Sequence, residues 1–229
     1  VSESYESFSD PARIFEEAMN KLVNWENFDI IPKTIGLDNL IECYKKLPGI
    51  GEKTAERMAF NLLDFDEERI DLIQESIKDA RLNIHKCPVC QTLTDKELCQ
   101  VCSDDTRNKD VLCIVEDSKI VFLFEKMGMY KGKYHVLNGL ISPLDDVNPE
   151  DIGIDKLLDH LNKNDYKEII LAFKPNVEGE ITSLYIKKIL ENTGIKITRL
   201  ASGVPIGADM EYIDSLTLSK ALEDRKEIA

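Results

Sequence analysis

Apolar positions recur at three- and four-residue steps through the first third of the chain. Leu37, Leu40, Ile41, Tyr44 and Leu47 form one stripe, and Ala55, Met58, Ala59 and Leu62 form a second. Such spacing places the side chains on one helical face. A third stripe, Ile70, Ile73, Ile77, Ala80 and Ile84, follows Asp66, a residue suited to capping a helix start. Pro48-Gly49-Ile50-Gly51 interrupts the period between the first two stripes, so the region reads as a small helical domain. Further along, residues 111–115, 134–137, 168–172 and 196–200 are short strand-like runs separated by helical stretches. That alternation predicts an α/β sheet. Ahead of the first stripe, Asp10-Pro11 makes a good helix start, and Ile14, Ala18 and Leu22 then share one face. Residues 1–36 read as an N-terminal extension with one short amphipathic helix and no assignable role.

Charge narrows what the chain can bind. In 229 residues, 43 acidic side chains outnumber 29 basic ones, for a net charge of −14. Bulk positive charge is therefore not how this protein meets nucleic acid, and any such contact must be local. No stretch reaches the ~18 apolar residues of a membrane span, and the start lacks a signal-peptide layout. A soluble cytoplasmic protein is expected. Six cysteines in that compartment are not expected as disulfides. Cys43 and Cys113 sit among apolar neighbours and read as buried thiols. His85, expected in an entering helix, and His135 and His160 read as structural.

Two glycines spaced two apart, in Leu47-Pro48-Gly49-Ile50-Gly51-Glu52-Lys53-Thr54-Ala55, lie between two amphipathic stripes, which is a helix-hairpin-helix pattern. Glycine lets the backbone turn sharply and leaves its N–H groups unshielded, while the next helix begins with its positive dipole end toward the gap. A phosphate oxygen suits such a corner. Lys53 and Arg57, four apart, extend the anion site along one face, and Ile50 anchors the loop. Gly49, Ile50, Gly51, Lys53 and Arg57 are thus the candidate DNA contacts, and they read phosphates rather than base edges. One hairpin binds weakly, so several copies on one DNA are expected.

Cys87-Pro88-Val89-Cys90 and Cys99-Gln100-Val101-Cys102 are two Cys-x-x-Cys knuckles separated by eight residues. Four thiolates at this spacing close a tetrahedron around Zn²⁺. All four positions are filled by protein, so no site remains for an activated water, and the metal is expected to be structural.

In order along the chain, these parts carry a resemblance. The hairpin, the four cysteines, Val115-Glu116-Asp117-Ser118, Tyr134-His135-Val136-Leu137, Val177-Glu178-Gly179-Glu180 and Gly203-Val204-Pro205-Ile206-Gly207 look like motifs of the RecR recombination mediators, as do Glu211-Tyr212, Asp214, Thr217-Leu218, Ala221-Leu222 and Arg225. The resemblance implies an α+β multidomain chain. Its parts are a helix-hairpin-helix domain over residues 37–85, a zinc motif over 86–104, an α/β Toprim domain over 109–203, and a C-terminal oligomerisation arm over 204–229. It also implies a homo-oligomer, a tetrameric ring around DNA, that acts with RecO and RecF to load RecA on gapped or single-stranded DNA.

Toprim enzymes hold Mg²⁺ with a glutamate after the first strand and an Asp-x-Asp pair after a later one. Glu116 resembles the first position. At the second, this chain has Lys174-Pro175-Asn176-Val177-Glu178-Gly179-Glu180, so both carboxylates are gone and one position carries a cation. A lysine charge about 4 Å away opposes each unit of metal charge by about 4 kcal/mol at an effective dielectric near 20. No nuclease, primase or topoisomerase activity is expected. The remaining acidic edge, Glu116, Glu178 and Glu180 with Asp117, is either a solvated, partly repulsive surface left from an ancestral active site or a candidate dock for a basic partner such as RecO. Two rival readings are a surviving Toprim enzyme and a pure protein scaffold.

Overall fold

The computed structural model describes residues 35–201, 203–225 and 227. The helix expected around Ile14, Ala18 and Leu22 lies outside them. The chain divides into two compact units, with the boundary between Lys78 and Asp79. In the first unit, α1 (Ile35–Lys45) packs against α2 (Glu52–Leu63), and α3 (Glu67–Asn83) begins there. Asp66 caps α3 as expected, its carboxylate accepting the Arg69 amide at 2.9 Å. Only Ala55 and Ala59 are fully buried in this unit among the described residues, whereas Leu47, Phe60, Leu63, Leu72 and Ile77 are exposed. Two small side chains let a helix pair approach, but a pair alone cannot enclose larger ones. Cys43 is exposed for the same reason, which corrects its expected burial.

The second unit is built on a parallel sheet of order β4-β3-β5-β6, with β3 (Val111–Val115), β4 (Lys133–Val136), β5 (Glu168–Ala172) and β6 (Lys196–Arg199). Helices α5 (Ser118–Met127), α6 (Ile154–Asn162) and α7 (Val177–Ile189) connect successive strands. Alternation along β3 separates two cores: Leu112 and Ile114 face one, Cys113 and Val115 the other. The first core takes Leu157 from α6 and Ile186 from α7. The second takes Val121 from α5 and, completing the wall, Cys87, Cys90, Cys99 and Val101 of the cysteine segment. That segment holds a two-stranded ladder, β1 (His85–Lys86) with β2 (Leu93–Thr94), and a short helix α4 (Gln100–Ser103). His85 therefore lies in a strand, because α3 stops at Asn83, and this corrects its expected place in a helix.

Beyond β6 the chain turns at Gly207, whose φ of +82° suits glycine, and ends in α8 (Ser215–Glu223). Asp214 caps α8 through the Thr217 amide at 2.9 Å. Ile206, Met210, Tyr212, Leu216 and Leu222 are all exposed on this arm. No helix among the described residues is long and apolar enough to cross a membrane.

Candidate functional site

The glycine corner forms as the spacing predicts. Gly49 adopts φ +81°, a left-handed value that side chains disfavour, and the Ile50 amide closes the turn onto Leu47 O at 3.2 Å. Gly51 then takes the N-cap place of α2 with an extended backbone and no side-chain cap. Thr54 and Ala55 donate to Gly51 O at 3.0 and 2.9 Å. The amides of Gly51, Glu52 and Lys53 have no partner among the described residues, as the first turn of a helix dictates when nothing caps it. They border a shallow concavity of about 470 Å³ lined by Gly51, Glu52, Lys53, Thr54 and Glu56. Lys53 and Arg57 are exposed on the same helix and Ile50 is half-buried. Glu52 and Glu56 stand beside them, so what this corner offers an anion is main-chain dipoles as much as side-chain charge.

The four cysteines converge. Sulfur atoms of Cys87, Cys90, Cys99 and Cys102 all lie within 4.8 Å of one another. Zn–S bonds of about 2.3 Å in a tetrahedron need sulfurs at such separations. Two local devices shape the knuckles. Gln91 holds a left-handed φ of +62°, secured by its own amide and side chain, both donating to Cys87 O at 2.9 and 3.1 Å. Cys99 caps α4, its sulfur accepting the Cys102 amide at 3.4 Å. Hydrogen bonds among the four sulfurs lower the Cys87 and Cys99 thiols and raise those of Cys90 and Cys102, because four adjoining thiols cannot all ionise without a cation among them.

The knuckle is joined to the sheet by polar contacts that periodicity does not reveal. Val136 donates to Cys90 O at 2.9 Å, and Lys133 Nζ donates to Val101 O at 2.8 Å and Asp104 O at 2.9 Å. Lys156 Nζ reaches Gln91 Oε1 at 3.2 Å, and Ser118 Oγ accepts the Leu93 amide at 3.2 Å. Nearby, Arg107 pairs with Glu125, which also accepts the Tyr134 hydroxyl at 2.9 Å.

Glu116 lies just past the carboxyl end of β3, next to the carboxyl end of β5, where the strand order reverses and open α/β sheets gather ligands. A cleft of about 470 Å³ opens there, lined in part by Glu116, Asp117, Lys174, Asn176, Glu178 and Lys86. The acidic edge is largely neutralised from within. Lys174 Nζ sits 2.9 Å from Glu116 Oε1, and Arg199 pairs with Glu180 at 3.0 Å. Glu178, partly exposed, makes no ion pair among the described residues. Asn176 caps α7 through the Gly179 amide at 2.9 Å.

His135 and His160 are buried side by side, Nδ1 to Nδ1 at 3.0 Å, with Tyr166 Oη at 3.0 Å from His160 Nε2. Burial pushes His135 down to about 3 and His160 to about 4, so both are neutral near pH 7. Their proximity had no sequence signal, since 25 residues separate them.

Four family models match consecutive parts of the chain. Residues 37–81 match the RecR helix-hairpin-helix, 84–104 the RecR four-cysteine zinc finger domain, 110–201 the Toprim domain and 203–226 the RecR C-terminal region. Together with the sulfur geometry, the zinc finger match makes the four-cysteine cluster a structural Zn²⁺ site. The Toprim fold also implies Mg²⁺ at the cleft, but the donors there do not fit it. An ammonium stands where an oxygen ligand is needed, and Asn176 spends its oxygen on the helix cap.

Proposed function

Because the chain belongs to the RecR family, a family of recombinational DNA repair, we propose that it is a non-catalytic DNA clamp. In this reading it acts with RecO, and with RecF as a second partner, to load RecA on gapped or single-stranded DNA. The observation that carries the reading is the uncapped glycine corner, where the Gly51, Glu52 and Lys53 amides point out of an exposed turn. Amides of this kind grip phosphate without reading sequence.

Local charge makes one corner weak. Between Lys45 and Lys86, eight basic residues stand against nine acidic ones. A single contact of this class binds at roughly 10⁻⁴ to 10⁻⁶ M at physiological salt. A closed ring of four protomers presents several corners to one DNA and raises the affinity through effective concentration. The apolar residues exposed on the C-terminal arm and on the helical unit support assembly, since a lone chain would leave them wet.

RecO docks on the cleft at Glu178, the edge carboxylate that makes no ion pair among the described residues, and Glu178→Lys weakens that complex while zinc and fold stay intact. The absence of catalysis follows from donors that do not suit Mg²⁺, without which nothing there steadies a leaving phosphate oxygen.

The test is binding to gapped DNA across a salt series, with and without RecO, alongside the mass of the assembly. Lys53→Ala/Arg57→Ala should lower affinity and flatten the salt dependence by about 0.7–0.9 in log–log slope per lost phosphate contact. A monomer that ignores DNA even with RecO present, or a double variant with unchanged salt dependence, rejects the clamp.

A further inference from the structure

We infer that Lys174 is a resident cation of the cleft, its ammonium taking the place of a divalent ion beside Glu116, so that the site is neutralised and held together without metal. Glu116 has only 8% of its side chain exposed, and a carboxylate so placed needs a partner. Lys174 supplies it twice over. Its Nζ lies 2.9 Å from Oε1 and its own amide donates to Oε2 at 3.4 Å, so one residue engages both oxygens.

The backbone is arranged to deliver that lysine. The Asn176 amide turns back onto Lys174 O at 2.9 Å, and Asn176 in turn caps α7. Gly179, in the first turn of α7, allows the fit: a Cβ there would lie 2.1 Å from Lys174 O. The turn, the cap and the glycine therefore fix where residue 174 begins, and the ammonium reaches Glu116 from there. Mg²⁺ would need near-octahedral oxygens at about 2.0–2.1 Å, and where the Toprim enzymes place their Asp-x-Asp pair this chain has Lys174 and Asn176.

Mn²⁺ serves as the probe, because the free ion is counted directly by electron paramagnetic resonance. The zinc-loaded full chain is titrated as wild type, Lys174→Ala, Lys174→Asp/Asn176→Asp and Glu116→Gln, with the melting temperature followed in parallel. Wild type should leave millimolar Mn²⁺ free and should melt identically with and without it. Lys174→Ala should lower the melting temperature and tighten Mn²⁺ by at least about tenfold, the charge effect being reduced by the lysine's exposure. The double aspartate variant should take up one Mn²⁺ per chain and melt higher when it is bound. Asp retains the helix cap at position 176, and Lys174→Ala alone decides the matter if the double variant does not fold.

Stoichiometric Mn²⁺ uptake by wild type that Glu116→Gln abolishes would overturn the inference. So would a Lys174→Ala protein that melts and binds Mn²⁺ as wild type does. DNA binding is read on the same samples. If it fails while the Mn²⁺ results hold, the clamp reading falls and the resident cation stands.

Discussion

Gly179→Ala pits two local effects against each other with opposite signs. Gly179 is inside α7, where alanine has the better helix propensity by about 1 kcal/mol. Propensity alone thus predicts stabilisation. The structure predicts the reverse, because the new Cβ would lie 2.1 Å from Lys174 O and 3.2 Å from its carbonyl carbon. That is more than about 1 Å inside a relaxed carbon–oxygen contact. The obstacle is backbone, so relief requires the 174–176 turn to move. Overpacking of this kind costs about 1–3 kcal/mol. Moving the turn also breaks the Asn176 cap, for about 1 kcal/mol. It further pulls the Lys174 amide and ammonium off Glu116, for about 1–3 kcal/mol more. Set against the propensity gain, the net loss is about 2–6 kcal/mol, a fall of roughly 4–24 °C in the melting of the sheet-bearing unit. Calorimetry of the zinc-loaded protein measures it, with Asn176→Ala as a control that loses only the cap and melts about 2–4 °C lower. A Gly179→Ala protein as stable as wild type, or more stable, refutes the packing argument.

Other outcomes follow from the same structure. Thr182→Val keeps the shape of a fully buried side chain but strands the Ile141 amide, which donates to Thr182 Oγ1 at 2.9 Å. Chemical denaturation should show a loss of about 1–3 kcal/mol. Cys99→Ser should abolish stoichiometric zinc by elemental analysis. It should also destabilise the sheet, because the cysteine segment forms part of one of its two cores. Stability should fall as pH drops from the ordinary histidine value of 6.5 through the folded values of about 4 and 3, because the unfolded chain takes up protons that His160 and His135 refuse. Acid also releases zinc, so the histidine share is the difference between wild type and His160→Gln, whose unfolding free energy should depend less on pH between 6.5 and 4.

How much of this was legible beforehand differs by element. Helices α1 to α3 and all four sheet strands lie where hydrophobic period placed them, because a 3.6- or 2-residue repeat is local information. The Cys-x-x-Cys pairs announced a metal for the same reason: most of the ligand spacing is set within a few residues. Cys43 shows where local reading fails, since apolar neighbours do not guarantee a partner surface to bury against.

The amino-acid order by itself determined the list of parts, the zinc ligands, the glycine corner and the loss of two carboxylates from the Toprim cleft. Only the tertiary structure decided who neutralises whom. Lys174 meets Glu116 across 58 positions, Arg199 meets Glu180 across 19, and Lys133 buttresses a zinc knuckle from 29 to 32 positions away. Pairings of this kind depend on which strand ends and helix starts a parallel sheet brings side by side, and sequence spacing carries no trace of that. The acidic edge, read from the sequence as one row of carboxylates, holds in the folded chain the pairs Lys174–Glu116 and Arg199–Glu180, with Glu178 in no ion pair among the described residues.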